Sequence, residues 1–515
     1  MALLPSIEFS HTHEFSRGSR NIPVGVHEAE TVKQARQIPE LGTAFLQWLE
    51  HRKPAIDAYK EKQSVYPIFF AAAQGGGIYA AAHPAMVLAR LVDSCPEFAH
   101  HLFGIASVSG GGLGAAVFAE LLRAIPDESG GPTSPIVGCS AWRKSSLEQQ
   151  IYKFFSHDFL SPVVANALLF GVPGVIVPPL ALIQDRAKAL ENAFEAAWSR
   201  LSLPSTTGLN KEFYGRWDPR SREPALFMST TSVALGIPVL VSQIDWAINP
   251  PPRTINKSDF IRSTGTPRDR QSIANILDFR PDLQLRTSTA IGLSARFPFV
   301  TPPGSLHANP RITRSQGPFQ EATVLQLTDG GFYDNGGVAV SRDLLVQLQL
   351  YLTKDERFAS FRDKVQLHLI LFTNLSAARQ LGPDVGNSME WIAPIVAFES
   401  VRQARSAIAV TMPDSITSHS VALLDEWYDE YPLTWLLSHQ GKLAINRRSS
   451  WFMGADNTVC CEVIEPATGR KTAIKLTADE VHARKKEGYD VKPFVPNQTA
   501  LLEILHLVDL GNSKP

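Results

Sequence analysis

Two short, wholly apolar runs early in the chain are each followed by a glycine-rich turn and then by a helical pattern. The first run covers 67–73, with a helix expected over about 80–93, and the second covers 102–107, with a helix expected over 110–124. A continuous apolar run is typical of a strand that is covered on both faces. The alternation therefore predicts an α/β fold, a three-layer α/β/α arrangement around a mostly parallel sheet.

The same kind of patterning continues downstream. Further strands are predicted at 226–241, 323–327 and 365–372, and further helices at 40–60, 185–201, 338–352 and 391–410. Beyond residue 446 the pattern changes to a hairpin with strands at 459–465 and 471–476. We therefore expect an N-terminal arm over 1–60, a main domain over 61–445 with helical insertions, and a small C-terminal appendage over 446–515.

Composition and charge limit the classes of protein to which this chain can belong. The 515 residues are 44% hydrophobic and 19% charged, and the net charge of −1 gives no basis for nucleic-acid binding. Only four cysteines occur, without a C-x-x-C pair, so we expect no structural zinc site and a cytoplasmic location fits. The histidines at His11 and His13 are interpreted as part of the lead-in rather than as a metal site.

An uncharged segment from 159 to 184 raises the question of a membrane. It is long enough to cross a bilayer, but Pro173, Pro178 and Pro179 would break a spanning helix. We expect a buried or interfacial element, either a core piece of a large insertion or a cap that contacts lipid. A bilayer-anchored form is the alternative.

The second glycine turn carries the candidate nucleophile. Its sequence, Ser107-Val108-Ser109-Gly110-Gly111, matches the nucleophile elbow of serine hydrolases with serine in place of the first glycine. Small neighbours let the strand and the helix pass close together, and Ser109 lies at the apex of the turn. Ser107 is the weaker candidate. The alternative for the whole motif is a serine that only caps a helix.

The first glycine turn offers a place for negative charge. Gly75, Gly76 and Gly77 follow a strand and open a helix, so their N–H groups suit the oxyanion of acyl transfer. The N–H of Gly110 would complete this oxyanion hole. A dinucleotide fingerprint through Gly75, Gly77 and Ala80 is the rival interpretation, but the second strand lacks the acidic residue that would hold a ribose.

A third element supplies a carboxylate. The sequence Thr328-Asp329-Gly330-Gly331 ends a predicted strand. Open α/β sheets carry their sites at the C-terminal edge of the strands, so Asp329 is a candidate base for Ser109. On its own, an Asp-Gly-Gly turn is usually an ordinary turn.

Together the three elements resemble the patatin-like phospholipases, including the related cytosolic phospholipases. Gly75–Gly77, Ser109 and Asp329 occur in the family's order, and Leu293–Pro303 looks like the family's Ser-Ala-x-Phe-Pro segment. The stretch Asp329–Asn335 matches the D-G-G-x-x-x-N form of bacterial members. The resemblance covers most of the main domain, and the joint pattern is more specific than any one part.

This resemblance implies a fold, an activity and a mechanism. It implies a patatin-like acyl hydrolase domain in which Asp329 acts as general base on Ser109 and an acyl-enzyme forms without a metal or cofactor. The substrate would be a lipid ester, reached through peripheral membrane contact, and the oligomeric state is left open. The family arginine that follows Gly-Gly-Gly-x is Tyr79 here, which puts a phospholipid preference in question.

Two other functions stay open on the sequence. A carboxylesterase with a Ser-Asp-His triad would place its histidine last in chain order, and His419, His439 and His506 are available. A catalytically inactive relative that binds lipid or membrane is the other, because Tyr79 departs from the family pattern.

Overall fold

A mostly parallel mixed sheet forms the body of the protein, in the α/β class that the sequence predicts. The computed structural model describes residues 13–14, 38–131, 139, 146–171, 186–246, 273–296, 301–307, 324–375, 412–413, 415–424, 458–466, 468, 471–477, 484, 487–493 and 497–509. The predicted helix over 391–410 lies outside these residues.

The strands that the structure describes form one large sheet and one small sheet. The large sheet contains β1 (His13–Glu14), β2 (Tyr66–Ala73), β3 (Leu102–Val108), β4 (Ala225–Ser232), β5 (Pro238–Ser242), β6 (Ala274–Asn275), β7 (Gly304–His307), β8 (Val324–Asp329), β9 (Val365–Leu375) and β10 (Thr417–Leu424). Its order is β1-β7-β8-β4-β3-β2-β9-β10, with β5 beside β4 and β6 beside β5. The centre of the sheet, from β4 to β10, is parallel, whereas β8 runs antiparallel to β4.

The helices connect and cover these strands. They are α1 (Leu41–Glu61), α2 (Gly77–Ser94), α3 (Phe98–His101), α4 (Gly110–Ala124), α5 (Leu147–Phe155), α6 (Leu160–Asn166), α7 (Arg186–Ser199), α8 (Ile276–Phe279), α9 (Thr287–Ser294), α10 (Val338–Lys354) and α11 (Asn497–Asp509). A π-helical turn, Ala167–Gly171, continues α6, and 3-10 turns occur at Gly330–Phe332 and Glu356–Phe358. The helices predicted around both glycine turns are therefore confirmed.

Two hydrophobic cores lie on opposite faces of the sheet. In β2, Phe69 and Ala71 pack with α2 and α4, while the alternate residues Ile68 and Phe70 pack with α1 and α10. Successive strand residues point to opposite faces, so a strand that is covered on both faces must be apolar throughout. This arrangement explains the unbroken apolar run of β2.

The region predicted as one strand over 226–241 differs from expectation. It forms two antiparallel strands, β4 and β5, joined by a tight turn in which the N–H of Ser232 donates to the carbonyl of Ile237. Gly236 adopts a left-handed φ of 64°, which closes the turn. Two side chains in the turn, Val233 and Leu235, are apolar, so the hydropathy pattern does not reveal where β4 ends and β5 begins.

The C-terminal part of the chain contains the predicted hairpin. It is formed by β11 (Thr458–Ile464) and β12 (Lys471–Thr477), and β13 (Asp490–Pro493) adds a third strand. The last helix, α11, packs in the main core through Leu501 and Ile504. The domain boundary predicted at residue 446 would therefore assign α11 to the C-terminal appendage, although this helix packs in the core of the main domain.

The uncharged segment is described up to residue 171. Here α6 buries Val163 but leaves Val164 44% exposed, and Leu168 and Leu169 in the π-helical turn are 63% and 65% exposed. Among the residues described, no helix combines the length and the apolarity needed to cross a membrane. A disulfide joins Cys95 at the end of α2 to Cys139, a link that the composition does not indicate.

Candidate active site

Ser109 lies between β3 and α4 in a backbone conformation that residues other than glycine rarely adopt. Its φ is 52° and its ψ is −122°. Holding a side-chain-bearing residue in such a region costs about 1–3 kcal/mol, and strain of this kind clusters at active sites. The elbow predicted from the sequence is therefore present as a strained strand–turn–helix.

Glycines explain how the turn can be this tight. A Cβ added to Gly110 would lie 1.9 Å from the carbonyl oxygen of Gly77, and one added to Gly111 would lie 2.4 Å from that of Ala73. Only residues without a side chain fit at such distances. The N-terminus of α4 therefore lies directly against the N-terminus of α2.

The two helix N-termini bring together N–H groups that have no acceptor within their own helices. Gly77 and Gly110 are the first residues of α2 and α4, and the first N–H groups of a helix have no acceptor within the helix. Gly76 precedes Gly77 with a φ of 150°. Aligned helix dipoles and these N–H groups favour a negative charge at the junction, which suits an oxyanion.

Gly75 has a different role from the one predicted. Its N–H donates to the carbonyl of Asn335 at 2.8 Å, which ties the glycine turn to the loop after β8. The expectation that this N–H binds an oxyanion is therefore not met, because it is engaged within the protein. Gly76, Gly77 and Gly110 remain for that role.

Asp329 reaches the same edge of the sheet as Ser109, but from the opposite direction to the one expected. β4 extends past the end of β3, with Val108 level with Ser229, and β8 returns antiparallel along it until Asp329 is level with Thr230. Ser109 and Asp329 therefore lie at the same level of the sheet, with the single strand β4 between them. Both residues are buried.

Asn335 lies between the nucleophile turn and the acidic turn. A Cβ added to Gly75 would lie 2.5 Å from Asn335 Oδ1 and 3.2 Å from the Cβ of Ser109. One added to Gly331 would lie 2.7 Å from the same Oδ1 and 2.9 Å from Asp329 Oδ1. The first glycine turn, Ser109 and Asp329 are thus brought together around one amide, a role that the sequence does not reveal because Asn335 also fits an ordinary turn.

The carboxylate of Asp329 is held in place by its own loop. Its Oδ1 accepts the N–H of Gly331 at 2.7 Å. Asp334 caps α10 instead, accepting the N–H groups of Gly336 at 3.0 Å and Ala339 at 2.8 Å. Of the two acidic residues in this loop, Asp329 is therefore the one positioned at the strand end.

The histidines considered for a triad lie elsewhere. His419 lies on β10, at the edge of the described sheet, level with Ile370 and about 13 Å along the strands from the level of Ser109. It contacts His368 at 3.2 Å, and burial lowers the pKa of His368 to about 4 and also lowers the pKa of His419. His506 is exposed on α11, and His439 lies outside the described residues.

Tyr79, which stands where the sequence resemblance expects an arginine, lies on α2 and is buried in the core. This position is therefore part of the packing rather than of an exposed anion site. Among the residues described, no cluster of three or more His, Cys, Asp or Glu side chains has an arrangement that would hold a metal ion.

No family model matches the chain, and no curated protein matches it. The assignment of a function therefore rests on the residues and the geometry of the site.

Proposed function

We propose that the protein is a patatin-like serine acyl hydrolase that cleaves fatty-acyl esters of phospholipids or related lipids. The strained backbone of Ser109 carries the proposal, because a serine that only capped a helix would not need this conformation. The contact between the N-termini of α2 and α4 supports the proposal. The position of Asp329, at the same level of the sheet as Ser109, also supports it.

The proposed reaction follows from these positions. Ser109 Oγ attacks the acyl carbon while Asp329 takes its proton, and the N–H groups of Gly76, Gly77 and Gly110 bind the oxyanion. The alcohol then leaves with a proton from Asp329, which yields an acyl-enzyme. Asp329 next removes a proton from water, which attacks the acyl carbon; as the intermediate collapses, Asp329 returns this proton to Ser109 Oγ and the fatty acid is released.

Exposed apolar side chains support a lipid substrate. Val164, Leu168 and Leu169 are exposed on α6 and the turn after it, and Val233 and Leu235 are exposed on the β4–β5 turn. Because β4 extends beyond the edge that carries Ser109, this turn projects on the active-site side of the sheet. We propose that such residues make a peripheral contact with a membrane surface.

Covalent labelling with a fluorophosphonate tests the nucleophile. We expect the wild type to be labelled and Ser109→Ala to be unlabelled. Ser107→Ala is the matched control, because this buried serine has no hydrogen-bond partner for its hydroxyl among the described residues and its loss should leave labelling intact. Labelling that persists in Ser109→Ala would place the nucleophile at another residue.

Hydrolysis of a panel of phospholipids, lysolipids and neutral esters tests the base and the substrate. Asp329→Asn should lower the turnover number by about 10³-fold, the usual contribution of a general base. Equal turnover by the two proteins would refute the dyad. A wild type that binds phosphatidylcholine vesicles but is neither labelled nor active would instead be the inactive lipid-binding relative.

A further inference from the structure

A second serine, Ser294, lies directly behind the candidate nucleophile. Its hydroxyl accepts the N–H of Ser109 at 2.9 Å and donates to the carbonyl of Ser229 at 2.6 Å. Ser294 is the last residue of α9 and is fully buried. One hydroxyl therefore connects the strained turn to the neighbouring strand β4, in a place where solvent does not offer a substitute.

The same short segment also holds the strand that carries the candidate base. The carbonyl of Arg296, two residues after Ser294, accepts the N–H of Asp329 at 3.1 Å and the hydroxyl of Thr328 at 3.1 Å. The chain from 294 to 296 thus contacts the nucleophile at one end and the base at the other. The segment therefore links the nucleophile turn to the strand that carries Asp329.

A buried ion pair holds the segment 294–296 in place. The Arg296 guanidinium is fully buried, donates to the carbonyl of Pro302 at 3.2 Å and lies 3.7 Å from the carboxylate of Glu191 on α7. Glu191 also accepts the hydroxyl of Thr289 on α9 at 3.1 Å. Because charged groups this deeply buried are costly to separate, the segment has little freedom to shift.

We propose that Ser294 is a positioning residue that holds Ser109 in its strained conformation and so aims Oγ at the acyl carbon. The inference rests on the proposed hydrolase function. Without the hydroxyl, the N–H of Ser109 loses its acceptor and the turn relaxes toward an ordinary conformation. Since a misplacement of about 1 Å costs about 100-fold in rate, the effect should appear in the chemical step and not in substrate binding.

Three substitutions in α9 separate positioning from stability. Ser294→Ala removes the hydroxyl, and Ser294→Thr keeps it. Ser288→Ala is the matched control, because Ser288 is a fully buried serine on the same helix whose hydroxyl donates to the carboxylate of Glu195 at 2.6 Å, away from Ser109. Each full-length protein is assayed for fluorophosphonate labelling rate, for kcat and KM on the best ester of the panel, and for thermal unfolding.

We expect Ser294→Ala to lower kcat and the labelling rate by about 100-fold with KM changed less than about twofold. Ser294→Thr should restore both rates to within about threefold of wild type. Ser288→Ala should unfold at a lower temperature but label at the wild-type rate. If Ser294→Ala does not fold, Ser294→Cys, of similar size but with a poor hydrogen-bonding group, should show the same kcat loss.

The opposite results are equally clear. A folded Ser294→Ala protein with wild-type kcat would overturn the positioning role, as would an equal loss of kcat in Ser288→Ala. Failure of the proposed function looks different, because then the wild type and all variants stay unlabelled, and the positioning role is rejected with it.

Discussion

Two glycines in the elbow helix should respond in opposite ways to the same substitution. A Cβ added to Gly114 would lie 2.2 Å from the carbonyl oxygen of Ala81 on α2, whereas one added to Gly112 meets nothing closer than 3.7 Å. Gly114→Ala therefore requires α2 and α4 to separate by about 1 Å, since carbon and oxygen come no closer than about 3.2 Å without strain, and such overpacking costs about 3 kcal/mol. Gly112→Ala makes only ordinary van der Waals contacts, at 3.7 Å or more, and gains about 0.5 kcal/mol of helix stability.

The free energy of unfolding in urea, followed by tryptophan fluorescence, measures this difference. We expect Gly114→Ala to lie about 3 kcal/mol below Gly112→Ala, with Gly112→Ala at or above the wild type. Both variants change the same residue type in the same helix, so helix propensity cancels in the comparison. Equal stabilities would show that α2 and α4 are not in backbone contact, and the packing of the elbow described above would be wrong.

Three further predictions concern buried polar groups and the candidate triad. Burial lowers the pKa of His101 to about 3 and that of His368 to about 4, so the unfolded chain binds protons first and stability is lost as the pH falls below about 6.5. Each histidine should lower the free energy of unfolding by about 2 kcal/mol between pH 7 and pH 5. A free energy of unfolding in urea that does not change over this range would contradict the burial of these histidines. Arg52→Met should lower the free energy of unfolding in urea by about 3–5 kcal/mol, because the buried guanidinium donates to four backbone carbonyls. A decrease of less than about 1 kcal/mol would show that these hydrogen bonds are dispensable. His419→Asn should label with fluorophosphonate at the wild-type rate, whereas abolished labelling would restore the Ser-Asp-His alternative.

Most of the fold around the site can be read from local pattern. The apolar runs of β2 and β3, the glycines after them and the helices α2 and α4 are each specified within a few residues of sequence, and the structure confirms them. The prediction that Asp329 reaches the edge occupied by Ser109 also agrees with the register. The role of Asp329 as the general base for Ser109 stays a prediction.

Features that depend on register between distant strands are not readable in this way. β8 pairs antiparallel with the part of β4 that extends past β3, and no local pattern encodes this pairing. The engagement of the Gly75 N–H by Asn335, and that of the Ser109 N–H by Ser294, join residues far apart in the chain. A hydrogen bond of this kind is fixed only once the sheet has assembled.

The docking of the last helix has a consequence for how the protein is made. The hydroxyl of Tyr59 in α1 donates to the carbonyl of Val508 in α11, a sequence separation of 449 residues. At a translation rate of about 5–20 residues per second, about 20–90 s pass between the synthesis of these two residues. Until α11 has been made, the apolar surface that it covers lacks this partner, and surface of this kind makes a partly folded chain prone to aggregation.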